Sequence, residues 1–92
     1  MRHARKDYQE RVQDRLPVEA GGIPWDEPVF LLRAKDVTAP RVVRTWAKLA
    51  AEAGADPAMV KAAYDHADLM SQWQSEHGYK VPDTPEGMLV DA

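Results

Sequence analysis

The sequence predicts a mainly α-helical protein, organised around an antiparallel helical hairpin of about residues 39–53 and 57–77. Two observations predict this fold class. Apolar residues recur at helical spacing in both segments, and the connection between them is so short that the two helices must lie side by side and run in opposite directions. A chain of 92 residues is enough for a single small domain, residues 1–92, with a small core.

The first 16 residues predict an N-terminal helical arm. Tyr8, Val12 and Leu16 follow each other at helical spacing, and charged side chains fill most of the other positions. This apolar stripe is too narrow to hold a helix against a broad core. We therefore expect an arm that docks on another surface or frays, and that ends at Pro17.

Residues 17–28 predict a loop, because this stretch contains three prolines and two glycines. Two large apolar side chains, Ile23 and Trp25, lie within it. We expect both to anchor the loop on the core, and for Trp25 a contact with a ligand is an equal alternative.

The apolar run VFLL, residues 29–32, predicts one short extended strand over about residues 29–33. A lone strand leaves backbone donors and acceptors without partners, which is costly when they are buried. The strand must therefore pair with the irregular C-terminal tail at Met88–Val90, with the preceding loop, or with the same strand of another copy. We expect a homo-oligomer with the Asp26–Asp36 stretch at or near the interface.

Cap residues set the bounds of the hairpin helices. Thr38 is a favourable N-cap with Pro40 in the first turn, and Gly54 ends this helix. Asp56 and Pro57 begin the second helix, and Gly78 ends it before the irregular tail of residues 78–92. The apolar stripes are Val42, Val43, Trp46, Ala47, Leu49, Ala50 and Ala53 in the first helix and Met59, Val60, Ala63, Ala67, Met70 and Trp73 in the second.

Large apolar residues supply the candidate interface. Trp46 and Trp73 fall on the helical stripes, where packing in a core or in an interface is the usual role of tryptophan. The complete set of interface candidates is Trp25, Val29, Phe30, Leu31, Leu32, Trp46 and Trp73.

Basic residues concentrate in one part of a chain whose net charge is −3. Residues 33–48 hold five basic residues against one acidic residue, whereas residues 49–92 hold two lysines against eight acidic residues. This division predicts a local basic surface rather than a chain that coats nucleic acid, so we do not expect nucleic acid as a partner. In the alternative interpretation, the two parts neutralise each other within one chain or between copies.

Arg41, Arg44 and Lys48 lie on one helix face, and Arg41 is close to the helix N-terminus, where anions are attracted. The alternative is a solvated face in which Lys48 pairs with Glu52. The ring of Tyr8 can stack on a base while its basic neighbours bind a phosphate. In the alternative, Tyr8 only packs the arm against the core. The candidate ligand-binding residues are Tyr8, Arg33, Lys35, Arg41, Arg44 and Lys48.

No catalytic or metal-binding constellation is visible in the sequence. The chain has no cysteine, and its three histidines lack the spacing of a metal site. His66 reads as a residue of the helix surface or of an interface. We therefore expect no enzyme, no cofactor and no metal. No apolar run approaches the ~20 residues that span a bilayer, and the charged N-terminus lacks the apolar region of a signal peptide. We expect a cytoplasmic protein with no membrane partner.

Four stretches carry a resemblance: RHARKDYQERVQD, IPWDEPVFLLRAKD, APRVVRTWA and the helix that ends near MSQW. Together they resemble a family of small proteins of bacteriophage and prophage genomes, over residues 2–77. The most specific part is EPVFLLRAKD followed by AP and a tryptophan. The resemblance implies a small phage-encoded accessory protein, located in the host cytoplasm or alternatively in the virion.

These observations predict a binding protein that self-associates and captures a partner. One candidate partner is an anionic, nucleotide-like host signal held at a subunit boundary. Another is a host or phage protein with an acidic or hydrophobic surface. The alternative function is that of a structural subunit of the phage particle.

Overall fold

The computed structural model describes residues 2–11 and 18–83. In chain order, the elements are β1 (Arg2–His3), α1 (Lys6–Arg11), a 3-10 turn (Val18–Ala20), β2 (Pro28–Val29), α2 (Ala39–Glu52) and α3 (Pro57–His77). The predicted fold class is confirmed: the protein is mainly helical, and α2 and α3 pack against each other as a hairpin. Val12, Leu16 and Met88–Val90, to which we had assigned roles in the arm and tail, lie outside the described residues.

The chain divides into two compact units. The first contains the described residues up to Leu31 together with Asp83, and the second contains Leu32–Pro82. In the first unit, β1 and β2 form a small parallel sheet in which Arg2 pairs with Pro28 and His3 with Val29. Pro28 begins its strand, a position where the missing N–H costs little.

The pairing partner of the apolar run differs from all three that we expected. β2 pairs with Arg2–His3, two residues of the charged N-terminus. The side chain of His3 explains this choice, because the backbone N–H of Leu31 donates to its Nε2 atom and extends the contact beyond β2. The strand is also shorter than the predicted residues 29–33. The single chain therefore supplies the backbone partner, and the strand alone gives no reason for oligomerisation.

The arm and the loop also differ in detail from expectation. The N-terminus is extended through His3 and becomes helical only at Lys6. Trp25 is 78% exposed and does not anchor the loop, and Ile23 is 38% exposed.

In the second unit, the ends of the helices follow the predicted signals with one exception. The side chain of Asp56 accepts a hydrogen bond from the backbone N–H of Ala58 at 2.9 Å and caps α3. Gly54 and Gly78 adopt φ values of +88° and +84°, which side chains with a Cβ rarely tolerate. Thr38 is the N-cap residue of α2, as predicted, but its side chain makes no capping hydrogen bond, because its hydroxyl donates to Asp36 instead, at 2.7 Å.

The segments that flank the hairpin are tied to α3. The side-chain amide of Gln74 donates to the carbonyl oxygens of Ala34 and Asp36, both at 2.8 Å. The chain that leaves α3 then returns beside this segment, where the N–H of Lys80 donates to the carbonyl of Lys35 at 2.9 Å. The segment before α2 thus has a fixed position within the second unit.

Candidate functional site

Small side chains fill the space between α2 and α3. Ala39 and Ala47 of α2 are fully buried, as is Ala67 of α3, and Ala63 and Met70 are nearly so. Alanine lets two helices approach closely, but it buries little apolar surface. Among the described residues, no large side chain is fully buried. With the exception of Met70, the hairpin therefore holds its described large apolar side chains outside the seam between its helices.

Most of these large side chains lie on one flank of the seam. In α2, positions 42, 46 and 49 repeat at helical spacing, with position 49 turned toward the outer side of the helix, and in α3, positions 59, 62, 66, 69 and 73 repeat at the same spacing. Six of these side chains are large, apolar and between 36% and 58% exposed. We call this surface the apolar face; it consists of Val42, Trp46, Leu49, Met59, Ala62, His66, Leu69 and Trp73.

A groove of about 430 Å³ runs along the apolar face between the two helices. Among the described residues that line it, His66 alone has a polar side chain. The groove shows that side chains from both helices face the same side of the hairpin. Its lining residues are Leu32, Val42, Val43, Trp46, Met59, Ala62, Ala63 and His66.

Trp73 lies at the end of the apolar face near the C-terminus of α3. Its indole stacks on the imidazole of His77, with the ring centroids 4.5 Å apart and the ring planes 18° from parallel. His77 Nδ1 also lies 3.1 Å from the carbonyl oxygen of Trp73. This contact orients the indole while leaving it 36% exposed.

The opposite flank of the hairpin is polar. Arg44 contacts α3 through Nη2, which lies 2.9 Å from Asp68 Oδ1 and 3.1 Å from the hydroxyl of Ser71. The same flank carries Tyr64, and on the outer side of α3 Lys61 pairs with Asp65 at 2.6 Å. Arg44 therefore links the two helices.

The remaining predicted anion-binding residues of the second unit are exposed. Arg41 and Lys48 lie on the outer side of α2, and within the described residues neither takes part in an ion pair. The alternative pairing of Lys48 with Glu52 is thus not formed. Arg33 and Lys35 lie exposed in the segment before α2.

Tyr8, the last member of that predicted set, belongs to the first unit and is buried. The guanidinium carbon of Arg5 lies 4.0 Å from the centre of the Tyr8 ring, and the ring of His3 packs edge-on at 5.2 Å. Arg5 also holds both carboxylate oxygens of Asp7, at 3.1 and 2.6 Å. This hydrogen-bonded contact with Arg5 lowers the pKa of Asp7 below its ordinary value.

The predicted interface residues fall into two groups. Trp46 and Trp73 lie on the apolar face, with 47% of the Trp46 side chain exposed. In the first unit, Phe30 is 67% exposed although its ring packs on His3 at a centroid distance of 4.9 Å, and Leu31 is also exposed. The half-buried members are Val29 and Leu32.

The described residues contain no group of three or more His, Cys, Asp or Glu side chains that could hold a metal ion. No helix among them is long and apolar enough to cross a membrane. Comparison with protein-family models, curated proteins and solved structures found no match for this chain.

Proposed function

We propose that this chain is a non-enzymatic binding protein whose working surface is the apolar face of the α2–α3 hairpin. The observation that carries the proposal is the separation of side chains by size. Alanines and Met70 occupy the seam between the helices, while Trp46, Leu49 and Met59 are about half exposed outside it. A chain that needed only its own core would place its largest apolar side chains in the seam.

The size and shape of the apolar face support contact with another protein. Isolated exposed apolar residues are normal on protein surfaces, but a contiguous patch marks a site of interaction. The groove between two antiparallel helices fits a further helix or helical pair, which packs its ridges into such grooves. Aromatic residues and methionine are the residue types enriched in protein interfaces.

The biological setting of this contact is part of the proposal. The resemblance to small phage and prophage proteins suggests an accessory protein that acts on a host or phage protein. A subunit of the virion would use the same kind of face to contact its neighbours. Mass spectrometry of purified particles separates the two, because a virion subunit is present there at many copies per particle.

A second candidate function is capture of an anionic, nucleotide-like molecule. It is favoured by the exposed side chains of Arg41 and Lys48 on the outer side of α2. It predicts that nucleotides raise the melting temperature of the protein, and that the double variant Arg41→Ala, Lys48→Ala removes this shift. If no anionic metabolite changes the melting temperature, this function is wrong.

Site-specific photo-crosslinking in cells that produce the full chain tests the protein-binding proposal. A benzophenone amino acid replaces Leu49 on the apolar face or, as the control, Tyr64 on the opposite flank; these side chains are 58% and 40% exposed. We expect a covalent adduct with a protein from position 49 and much less from position 64. Equal adducts from both positions, or none from position 49, would contradict the proposal.

A further inference from the structure

We propose that His3 is a pH-sensitive switch that keeps β1 paired with β2 while its imidazole is neutral and releases β1 when the imidazole is protonated. The switch lies in the first unit, so this inference goes beyond the proposed function, which concerns the α2–α3 hairpin. The signal is a fall in pH, and the response is the separation of Arg2–His3 from Pro28–Val29.

The imidazole of His3 is buried among aromatic rings. His3 is 6% exposed. Its ring lies edge-on to the ring of Tyr8 at a centroid distance of 5.2 Å, and its centroid lies 4.9 Å from that of Phe30. A buried polar group needs hydrogen-bond partners, and a buried charge is still more costly. The protonation state of this ring therefore affects the stability of the first unit.

Backbone N–H groups approach both nitrogens of the His3 ring. The backbone nitrogen of Arg5 lies 3.0 Å from Nδ1, and the N–H of Leu31 donates to Nε2. A neutral imidazole has one nitrogen that accepts a hydrogen bond and one that carries a proton. The neutral ring can therefore accept from one of these two groups at a time. The contact with Leu31 is the one that joins distant parts of the chain.

Protonation removes the acceptor that these contacts require. In the imidazolium form both nitrogens carry protons and only donate, so each would point an N–H at a backbone N–H. Neither Leu31 nor Arg5 could then donate to the ring. The sheet has only two residue pairs, and so short a ribbon is marginally stable on its own. Loss of the His3 contact should therefore separate its strands.

The charged groups near His3 do not replace the lost acceptor. The guanidinium of Arg5 lies over the ring of Tyr8, which contacts His3. Arg5 forms an ion pair with Asp7, so the two together carry no net charge. It also donates to the carbonyl of Asp83, whose side chain is exposed to solvent, where charges are screened. The side chains of β2 and of the two residues after it carry no titratable group.

The direction of the pH dependence follows from the uptake of a proton. The paired state requires neutral His3, whereas the separated state can accept a proton, so a lower pH favours separation. Histidine is the side chain whose charge ordinarily changes between about pH 5 and 8. Uptake of one proton changes the ratio of separated to paired molecules by up to about tenfold per pH unit. Separation leaves the backbone of β2 with a free edge, which can pair with another extended chain.

Amide hydrogen exchange of the full chain between pH 8 and pH 5, followed by NMR, tests the inference. Protection factors correct each amide for the pH dependence of its intrinsic exchange rate. We expect the protection of Arg2 and Leu31 to fall by up to about tenfold per pH unit in the lower part of this range, while that of Ala47 in α2 does not follow. Asp7 stays ionised over this range because its pKa is lowered. Constant protection of Leu31 from pH 8 to pH 5 would overturn the proposal.

Two variants test whether His3 is the group responsible. His3→Gln retains an acceptor for the N–H of Leu31 but does not titrate, so its protection should be independent of pH. The double variant His66→Gln, His77→Gln leaves His3 as the single histidine of the chain and should keep the full pH response. A response that persists in His3→Gln, or that is absent from the double variant, belongs to another group and overturns the proposal.

Discussion

Replacing Ala47 by leucine tests how closely α2 and α3 approach. Ala47 lies in the seam with none of its surface exposed, and leucine adds three carbon atoms there. Because packed interiors contain few voids of that size, the helices must move apart or the side chain must leave its preferred rotamer. Such overpacking costs about 1–3 kcal/mol of unfolding free energy, with about 2 kcal/mol as the central value.

The assay is thermal unfolding followed by far-ultraviolet circular dichroism at one fixed protein concentration. For a chain of this size, about 2 kcal/mol lowers the melting temperature by about 8–16 °C. The control is Ala58→Leu, because Ala58 is an exposed position of α3 and surface substitutions usually stay within about 0.5 kcal/mol. If Ala47→Leu unfolded at the same temperature as the unmodified chain, the alanine seam would not determine the spacing of the helices.

Three further predictions concern caps, ties and charge. Asp56→Ala removes the hydrogen bond to the N–H of Ala58 and should lower the unfolding free energy in urea by about 1 kcal/mol; an unchanged urea midpoint would show that the cap contributes nothing. Gln74→Met removes both hydrogen bonds to the segment before α2 and should lower the free energy of unfolding by about 1–3 kcal/mol. Amide hydrogen exchange at Val37 and Lys80 should become faster. Unchanged exchange at these two residues would show that Gln74 does not hold the segment in place. Arg5 lowers the pKa of Asp7, so the ionised carboxylate stabilises the first unit above about pH 4 and this stabilisation is lost as the pH falls through the lowered pKa. In the variant Arg5→Gln, a carboxyl-carbon NMR titration should find the pKa of Asp7 raised, and an unchanged value would rule out Arg5 as the cause.

The hairpin was predictable because its signals are local. The predicted helices of residues 39–53 and 57–77 are found at Ala39–Glu52 and Pro57–His77. The residues that begin and end the helices act through the backbone of their own turns; they are Asp56, Pro57, Gly54 and Gly78. Their effect can therefore be predicted without knowledge of the rest of the structure.

The pairing of β2 was not predictable because it joins residues far apart in the sequence. Arg2 and His3 lie in a charged run without the alternation of a strand, and what fixes them is the contact between the His3 ring and the N–H of Leu31. The expectation that the apolar run pairs with the tail, the preceding loop or another copy was wrong for this reason. Short strands are specified by such tertiary contacts more than by local propensity.

The candidate site was predictable in part. Trp46 and Trp73 were expected to pack in a core or an interface, but all apolar positions of each helix were expected on one broad face. The structure divides that face into a buried alanine seam and an exposed flank that carries Val42, Leu49 and Met59. The period of Ala63 and Ala67, with Ala47 opposite, was the available signal, since alanines at helical spacing mark the line of closest approach.

The most direct test of the central claim, that the apolar face is an exposed surface, is quenching of tryptophan fluorescence by acrylamide in dilute protein. In the variant Trp25→Phe, the remaining tryptophans, Trp46 and Trp73, both lie on the apolar face. We predict that acrylamide quenches both readily, because 47% of Trp46 and 36% of Trp73 are exposed. Quenching as slow as that of a fully buried tryptophan would contradict the account.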